Sequence, residues 1–483
     1  MLGSRARGWQ LAAVLALAAL LRAGVLWEFG GSLAEDRDNY RQIAQHVAAG
    51  DGFLDPDTLK PTAYRPPLYP LLLAGVFRCN GGAMAIGILQ LVLGIATVAL
   101  TVSCGRKLAV ASDNVACAEI DRANIDRANV DRANVDRANV DRTSLIAGLL
   151  VACDPLLLYQ TALVMTETTA AFLASLLLWL SLQRRTATGN FCLGSVFGAA
   201  CLCRPTFWAF GGLIAALWGF HRLLALSRCA GAGGKPLRRW HFELIIVGFR
   251  SAKAALLSRS ETRQYAGCIV AGLVLVVAPW VIRNAVVMGR PILTTTHGGY
   301  TLLLAHNSAY TQAVVEQPWG SVWEGEPQAN WLAEIEAEMA REQPPIDAAL
   351  LSPTVELARD RWMSRRAWNY IRDEPAIAVR TALTLLGRMW NVVPLETDRS
   401  TQSATVRLAI GAFYSGLFLA VLIGVARHRH ADWIAWRPVL VLIVGFTAVH
   451  SLYWADMRMR TPLVPAVALL AAACFAARGA SRK

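Results

Sequence analysis

Charged residues are scarce in this chain. Only 17% of its 483 residues are Asp, Glu, Lys or Arg, whereas 55% are hydrophobic. A typical soluble domain carries about 25% charged residues. Apolar runs of about 20 residues, the length that crosses the hydrocarbon core of a bilayer, recur along the sequence. The composition therefore excludes an ordinary soluble domain and predicts an all-α polytopic membrane protein.

Motifs for metal binding and for disulfides are also missing. The sequence has ten Cys but no Cys-x-x-Cys pair, and most of these residues lie in or beside apolar runs. We interpret them as small buried hydrophobic residues. The eight His residues show no paired metal-ligand spacing except His428-x-His430, which stands among arginines and indicates a positively charged cytoplasmic turn. We expect neither a metal nor another cofactor.

Positive charge exceeds negative charge, with 47 Lys and Arg against 34 Asp and Glu. In a membrane protein such an excess marks cytoplasmic loops, so it does not imply a nucleic-acid partner. The strongest basic stretch, 227–264, would also suit anionic membrane lipids. With the basic tail 478–483 it predicts ten spans and cytoplasmic termini, and eleven or more spans are the alternative. The first apolar run, 10–27, lacks a convincing cleavage site after it and is interpreted as a retained span.

The predicted spans divide the chain into five sections. These are 1–107 with two spans and an outer loop at 28–67, the cytoplasmic insert 108–143, 144–289 with spans 3 to 7, the outer segment 290–407, and 408–483 with the last three spans. The insert repeats Asp-Arg-Ala-Asn followed by Ile or Val. One coil of a pentapeptide β-solenoid is too short to be stable, and a period of five gives a helix no apolar stripe. We interpret the insert as a solvated, non-catalytic segment.

Three short segments outside the spans are expected to be helical. Residues 38–49 place Tyr40 and Ile43 on one face. Residues 68–77 are too short to cross the bilayer. Residues 377–393 must begin and end on the outer side if the later basic turns are cytoplasmic, which predicts an interfacial helix.

Polar residues from distant parts of the chain reach the same outer face in this topology. They are Glu35, Asp36, Asp38, Tyr40, Tyr64, Arg65, Glu167, Arg204, Asn307, Arg458 and Arg460. Ionisable side chains at a membrane boundary are functional candidates. They stand in ordered motifs: Asp36-x-x-x-Tyr40, Arg65-Pro-Pro-Leu-Tyr69, Thr166-Glu167, Arg204-Pro-Thr206, Pro279-Trp-x-x-Arg283-Asn284, Gly298-Gly-Tyr300 before Asn307, and Asp456-x-Arg458-x-Arg460-x-Pro462.

The order and spacing of these motifs resemble those of GT-C class membrane glycosyltransferases. The resemblance is to bacterial members of the family-39-like group, which includes dolichyl-phosphate-mannose–protein mannosyltransferases and aminoarabinose transferases, and it covers most of the chain except the insert. It implies a GT-C-like fold in the inner membrane with its active site on the outer face. It also implies a polyprenyl-phosphate-linked sugar as donor and a hydroxyl of a protein, lipid or glycan as acceptor.

The resemblance also implies roles for individual residues. Asp36 occupies the position of the general base, for which Glu35 and Asp38 are the alternatives, and Asp38 is expected to cap the helix that follows. Arg65 would face the lipid phosphate, with Arg458 and Arg460 as rivals. The remaining candidates, expected to bind substrate, are Glu35, Asp38, Tyr40, Tyr64, Glu167, Arg204 and Asn307. Glu167 would bind a sugar hydroxyl or brace Arg65.

The sequence departs from the family at two positions. Asp36 is followed by Arg37 where Glu is frequent, and Tyr64-Arg65 replaces Glu-Lys. The first change removes an acid that holds a divalent ion in some members, so the resemblance gives no support for a metal.

Two hypotheses from other classes stay open. A flippase for lipid-linked sugars would need polar residues at mid-depth, whereas spans 2 to 7 are nearly free of charge. A polymer-assembly partner would use the Trp-rich outer stretch 290–375 as a docking surface.

Overall fold

The computed structural model describes residues 2–118, 128–183, 186–231, 259–342, 353–395, 403–427 and 433–476. Regular secondary structure in these ranges is helical, and the β-type pairing recorded there is one isolated antiparallel bridge between Leu54 and Pro61. The prediction of an all-α protein is confirmed. Most of the basic stretch 227–264 falls in residues 232–258, which lie outside the described residues.

The principal helices are numbered along the chain. They are α1 Leu2–Phe29, α2 Tyr40–Ala49, α3 Leu68–Arg78, α4 Ala83–Ala118, α5 Ala128–Ala152, α6 Pro155–Gln160, α7 Glu167–Ser181, α8 Ala187–Cys203, α9 Phe207–Gly231, α10 Arg259–Val287, α11 Gly298–Ala305, α12 Glu326–Ala340, α13 Pro353–Asp373, α14 Pro375–Met389, α15 Ala404–Arg427, α16 Trp433–His450 and α17 Val464–Ala472. A 3₁₀ helix, Met457–Leu463, precedes α17.

Five segments of the described chain are long and apolar enough to cross a membrane. They are Gly8–Ala34, Ala83–Ala109, Arg263–Val287, Ala404–Arg427 and Met457–Phe475. Shorter apolar helices accompany them, among them α3, α7 and α8. The helix α3 has 11 residues, as expected for a helix too short to span. The total of ten spans and the side on which each loop lies stay predictions.

Part of the repeat insert is helical although it has no apolar stripe, and its solvated, non-catalytic character stays a prediction. From Ala128 onward its backbone is helical and continues directly into the apolar part of α5. Asp-Arg-Ala-Asn-Val contains neither Gly nor Pro, so the repeat can continue a helix that is stabilised further along the chain, without an apolar stripe of its own. Residues 119–127 of the insert lie outside the described residues.

A buried arginine ties α1 to the end of α5. The Arg22 side chain donates to the carbonyls of Val151 and Ala152, both at 3.4 Å. These two carbonyls lie in the last turn of α5, where no N–H group of the helix itself can reach them. Just after it, the Asp154 carboxylate accepts the Tyr414 hydroxyl at 3.0 Å. The helix α5 ends at Ala152, and the chain continues after Asp154 as a separate short helix, α6.

Close helix contact fixes the position of α8, whose end precedes Arg204. A Cβ atom on Gly194 would collide with the backbone of Ile269, and one on Gly272 would collide with the carbonyl of Phe191. Small residues let the backbones of two membrane helices approach in this way. The helices α8 and α10 therefore pack in direct backbone contact.

The outer segment, 290–407, includes two helices between Glu326 and Asp373. These are α12 and α13, and residues 343–352 between them lie outside the described residues. In α14, Val379 and Leu383 are exposed while Thr381 and Leu385 are buried. This division suits an amphipathic helix, although its place at the membrane interface stays a prediction.

Candidate functional site

Asp36 holds the start of α2. Its Oδ1 accepts the backbone N–H of Arg41 at 3.0 Å, and its Oδ2 accepts the backbone N–H of Gln42 at 2.8 Å. Both N–H groups lie in the first turn of the helix, where such donors lack intrahelical acceptors. The expectation that Asp38 caps this helix is therefore wrong, because Asp36 does so and orients its carboxylate by two backbone bonds.

Asp38 is instead the ion-pair partner of Arg65. The Arg65 Nη2 atom lies 2.9 Å from Asp38 Oδ1. The guanidinium carbon also lies 5.5 Å from the ring centre of Tyr40 and 5.2 Å from that of Tyr64. Burial lowers the pKa of Arg65, but Tyr40 and Asp38 together outweigh it and raise that pKa above its usual value. Arg65 is therefore a permanent, half-enclosed positive charge.

Glu167 is almost completely buried and is shared by two arginines. Its Oε1 atom lies 3.3 Å from Arg458 Nε and 3.6 Å from Arg204 Nη1. Within the described part of the chain, Glu167 Oε2 has no hydrogen-bond partner, and neither do those two nitrogens. Glu167 was expected to brace Arg65, but its ion pairs are with Arg204 and Arg458 instead.

The Asp38–Arg65 pair and the arginines that share Glu167 act on each other electrostatically. The charge of Arg458 lowers the pKa of Arg65. Arg65, Arg204 and Arg458 thus form one arginine cluster, defined here by these three residues. The guanidiniums of Arg204 and Arg458 each have one nitrogen without a hydrogen-bond partner among the described residues, and an unsatisfied polar atom away from water is unfavourable, so the cluster suits an anion with several oxygen atoms.

Aromatic side chains enclose one side of the arginine cluster. The ring centres of Tyr64 and His297 are 4.4 Å apart, and those of His297 and Tyr300 are 5.3 Å apart. The ring centres of Tyr40 and Tyr69 lie 5.5 Å apart, and Asp36 is held at the first turn of the helix that Tyr40 begins, so Asp36 lies on the same side of the molecule. The site therefore combines positive charge, carboxylates and aromatic walls.

Two carboxylates of α13 hold the loops that carry this site, and sequence reasoning missed both. Glu356 accepts the Thr62 hydroxyl at 2.7 Å, the backbone N–H of Ala63 at 3.0 Å and the Thr296 hydroxyl. One turn further, Asp360 accepts the backbone N–H of Gly299 at 2.7 Å. The only signal in the sequence is the spacing of the two acids, which places them on one helix face.

Replacement of Glu356 by Ala is expected to lower the thermal stability of the protein. The change leaves two hydroxyls and one N–H without their acceptor, at a cost of about 1–3 kcal/mol for a buried unsatisfied group. The matched control is Glu336→Ala, which removes an exposed carboxylate paired with Arg359 at 3.5 Å and should change stability by about 1 kcal/mol or less. Thermal unfolding in lipid nanodiscs measures both, and equal midpoints for the two variants would contradict the role of Glu356.

Three predicted site residues make their contacts away from the arginine cluster. Glu35 is exposed and pairs with Arg37 at 2.9 Å. The Asn307 side chain accepts the backbone N–H of Tyr310 at 2.8 Å and begins a short helix. Arg460 is buried and donates to the carbonyl of Met389, the last residue of α14, at 2.9 Å and to that of Asn391 at 2.5 Å. Arg460 thus fastens the 3₁₀ helix Met457–Leu463 to the end of α14, which leaves Arg458 as the rival of Arg65.

Burial of the His297 ring is expected to make the folded protein less stable in acid. Burial, and after it the charge of Arg65, lower the pKa of His297 to about 3, whereas it is about 6.5 in an unfolded chain. The unfolded state therefore binds the proton more strongly than the folded state does. The neutral His297 ring contributes its full share of stability above pH 6.5, and the free energy of unfolding falls by about 1.4 kcal/mol per pH unit as the pH drops towards 3.

Replacement of His297 by Phe is expected to reduce this loss of stability between pH 6.5 and about 3. Replacement of the more exposed His46, whose ring lies 3.3 Å from Asp51, serves as the control. Unfolding midpoints are measured for both variants across that range. A wild-type slope in His297→Phe would show that this imidazole is not the group responsible.

The helices and the site together define a class: an all-α membrane protein with a partly buried arginine cluster between its helices, in which Arg204 and Arg458 each have one nitrogen without a partner among the described residues. No protein-family model and no curated protein matches the sequence. Among solved structures, the chain is similar to the crystal structure of ArnT from Cupriavidus metallidurans bound to undecaprenyl phosphate. The similarity has a TM-score of 0.38 and 13% identity, and it covers 97% of this chain and 78% of that chain. By itself this likeness decides neither mechanism nor substrate.

Proposed function

We propose that the protein is a membrane glycosyltransferase that moves a sugar from a polyprenyl phosphate to an acceptor hydroxyl. The observation that carries the proposal is the arginine cluster, in which Arg204 and Arg458 share one oxygen of Glu167 and Arg65 pairs with Asp38. This arrangement offers charge-assisted donors to a phosphate without excluding it, and the ordered sequence motifs agree with it.

The arginine cluster would stabilise the leaving group. When the bond between the anomeric carbon and the phosphate oxygen breaks, its electron pair leaves with the phosphate and adds negative charge there. Guanidiniums placed beforehand at that position stabilise the transition state more than the ground state. Arg65 can pair two phosphate oxygens once Asp38 releases it.

Asp36 is the proposed general base. Each of its oxygens accepts one backbone N–H and keeps a second lone pair free, so the carboxylate is held in place and still able to take a proton. The acceptor oxygen attacks the anomeric carbon while its proton passes to Asp36. Asp38, two residues away, is the second candidate because it lies beside Arg65.

The proposed donor site is tested with undecaprenyl-phosphate-linked sugars. Membranes containing the protein are given a panel of these donors together with envelope extract as acceptor, and release of undecaprenyl phosphate is measured. Faster release than in membranes with Arg65→Ala supports the proposal. Binding of the donors without release would favour a transporter instead.

A further inference from the structure

Tyr414 contacts two segments that lead to the arginine cluster from different parts of the chain. It lies on α15, and its side chain is buried. Its hydroxyl donates to Asp154 Oδ2 at 3.0 Å, and the guanidinium carbon of Arg460 lies 4.1 Å from the centre of its ring. One side chain therefore joins the residue before α6 to the 3₁₀ helix Met457–Leu463.

The hydroxyl of Tyr414 fixes the start of α6. Asp154 caps this helix, since its Oδ1 atom accepts the backbone N–H of Leu157 at 2.9 Å. The Tyr414 oxygen also accepts the backbone N–H of Leu156 at 3.4 Å. Asp154 is fully buried, and a buried carboxylate that loses a donor is unfavourable. The position at which α6 begins therefore depends on Tyr414.

The other end of α6 is tied to the turn that carries Glu167. The carbonyl of Gln160, the last residue of α6, accepts the hydroxyl of Thr168 at 3.3 Å. Thr168 directly follows Glu167, which begins α7. Because α6 has six residues and is only about 9 Å long, a displacement at its start reaches Glu167.

The ring of Tyr414 fixes the position of Arg458 through Arg460. A guanidinium this close to an aromatic ring is attracted to the negative face of the ring. The backbone N–H of Arg458 donates to Asp456 Oδ1 at 2.8 Å, and its carbonyl accepts the hydroxyl of Thr461 at 2.7 Å. The backbone between Arg458 and Arg460 is thus held in one shape, so a shift of Arg460 moves Arg458 as well.

We infer that Tyr414 is a positioning residue of the arginine cluster, which sets the separation between Glu167 and Arg458. Its hydroxyl acts through Asp154 and α6, and its ring acts through Arg460. The two routes meet where Glu167 Oε1 lies 3.3 Å from Arg458 Nε. This role rests on the proposed function, in which Arg458 turns towards a phosphate that binds beside it.

The test measures binding of undecaprenyl phosphate to the full chain in lipid nanodiscs. Tyr414→Phe removes the hydroxyl and keeps the ring, and it should weaken binding about threefold to thirtyfold, the range of coupling between residues of one network. In an Arg458→Ala background no ion pair is left to position, so the same change should alter the affinity less than about twofold. A tyrosine that only stabilised the fold would cost the same factor in both backgrounds.

Tyr370→Phe is the matched control. It removes a tyrosine hydroxyl that is hydrogen-bonded to the hydroxyl of Thr311 at 2.8 Å in the outer segment. Its loss is expected to lower the thermal unfolding midpoint and to leave the affinity for undecaprenyl phosphate unchanged.

Arg460→Lys is the second variant and tests the ring separately. An ammonium keeps the positive charge but lacks the planar group that lies over Tyr414, so binding should again weaken in wild type and stay unchanged in Arg458→Ala. The inference is overturned if either Tyr414→Phe or Arg460→Lys binds as wild type does, or loses the same factor in both backgrounds. A wild-type protein that does not bind undecaprenyl phosphate would contradict the proposed function itself, and with it this role of Tyr414.

Discussion

Asp36→Asn is expected to lower the rate of sugar transfer by about 10²–10⁴-fold, the usual contribution of a general base. Asn has nearly the same size but cannot take the acceptor proton. The change also weakens the cap of α2, which costs about 1 kcal/mol and is too little to explain such a loss. Transfer is measured under saturating donor, and thermal unfolding measures the loss of the cap.

Asp38→Asn is the matched control, since it removes the same charge two residues away. Asp38 competes with the donor phosphate for Arg65, so this variant should bind undecaprenyl phosphate more tightly than wild type and keep turnover within a few-fold. The reverse pattern, an active Asp36→Asn and an inactive Asp38→Asn, would move the role of base to Asp38.

Arg65→Ala is expected to weaken binding of undecaprenyl phosphate strongly. Loss of one partner of an enclosed charge pair costs about 2–5 kcal/mol, or roughly 30-fold to several thousand-fold in affinity. Arg65→Lys should recover only part of it, because an ammonium is a point charge and lacks the planar fork that pairs two oxygens. Binding is measured by titration in nanodiscs.

Arg37→Ala is the control for Arg65→Ala. Arg37 lies in the same loop, but its side chain is 48% exposed and pairs with an exposed Glu35, so its removal should change donor affinity by about 1 kcal/mol or less. Wild-type affinity in Arg65→Ala would contradict the assignment of the phosphate site.

Local patterns predicted the elements that depend on neighbouring residues. The apolar face at helical spacing predicted α2, and the short apolar run predicted α3. Both signals are properties of neighbouring positions in the sequence. The motif order also indicated residues that the fold brings together, namely Arg65, Glu167, Arg204 and Arg458. Their pairing was not predictable, since three arginines and two carboxylates, Asp38 and Glu167, allow several combinations.

The features of the site that the sequence did not predict depend on contacts between distant segments. The hydrogen bond from Thr62 to Glu356 joins residues 294 positions apart, and only the docking of α13 creates it. The exchange of roles between Asp36 and Asp38 depends on the left-handed backbone at Asn39, where φ is 63°, a conformation that Asn tolerates but does not require. Arg460, next but one to Arg458, turns to the end of α14 instead, which no local pattern records.

Mass spectrometry of the cell envelope tests the central claim most directly. Envelopes are compared from cells that carry the wild-type protein, Asp36→Asn, or Arg37→Ala as control. We predict that Asp36→Asn removes the mass of one sugar from a single class of envelope molecule and causes the polyprenyl-phosphate-linked sugar to accumulate, while the control resembles wild type. Envelopes of Asp36→Asn cells with unchanged masses and no accumulated donor would contradict the account.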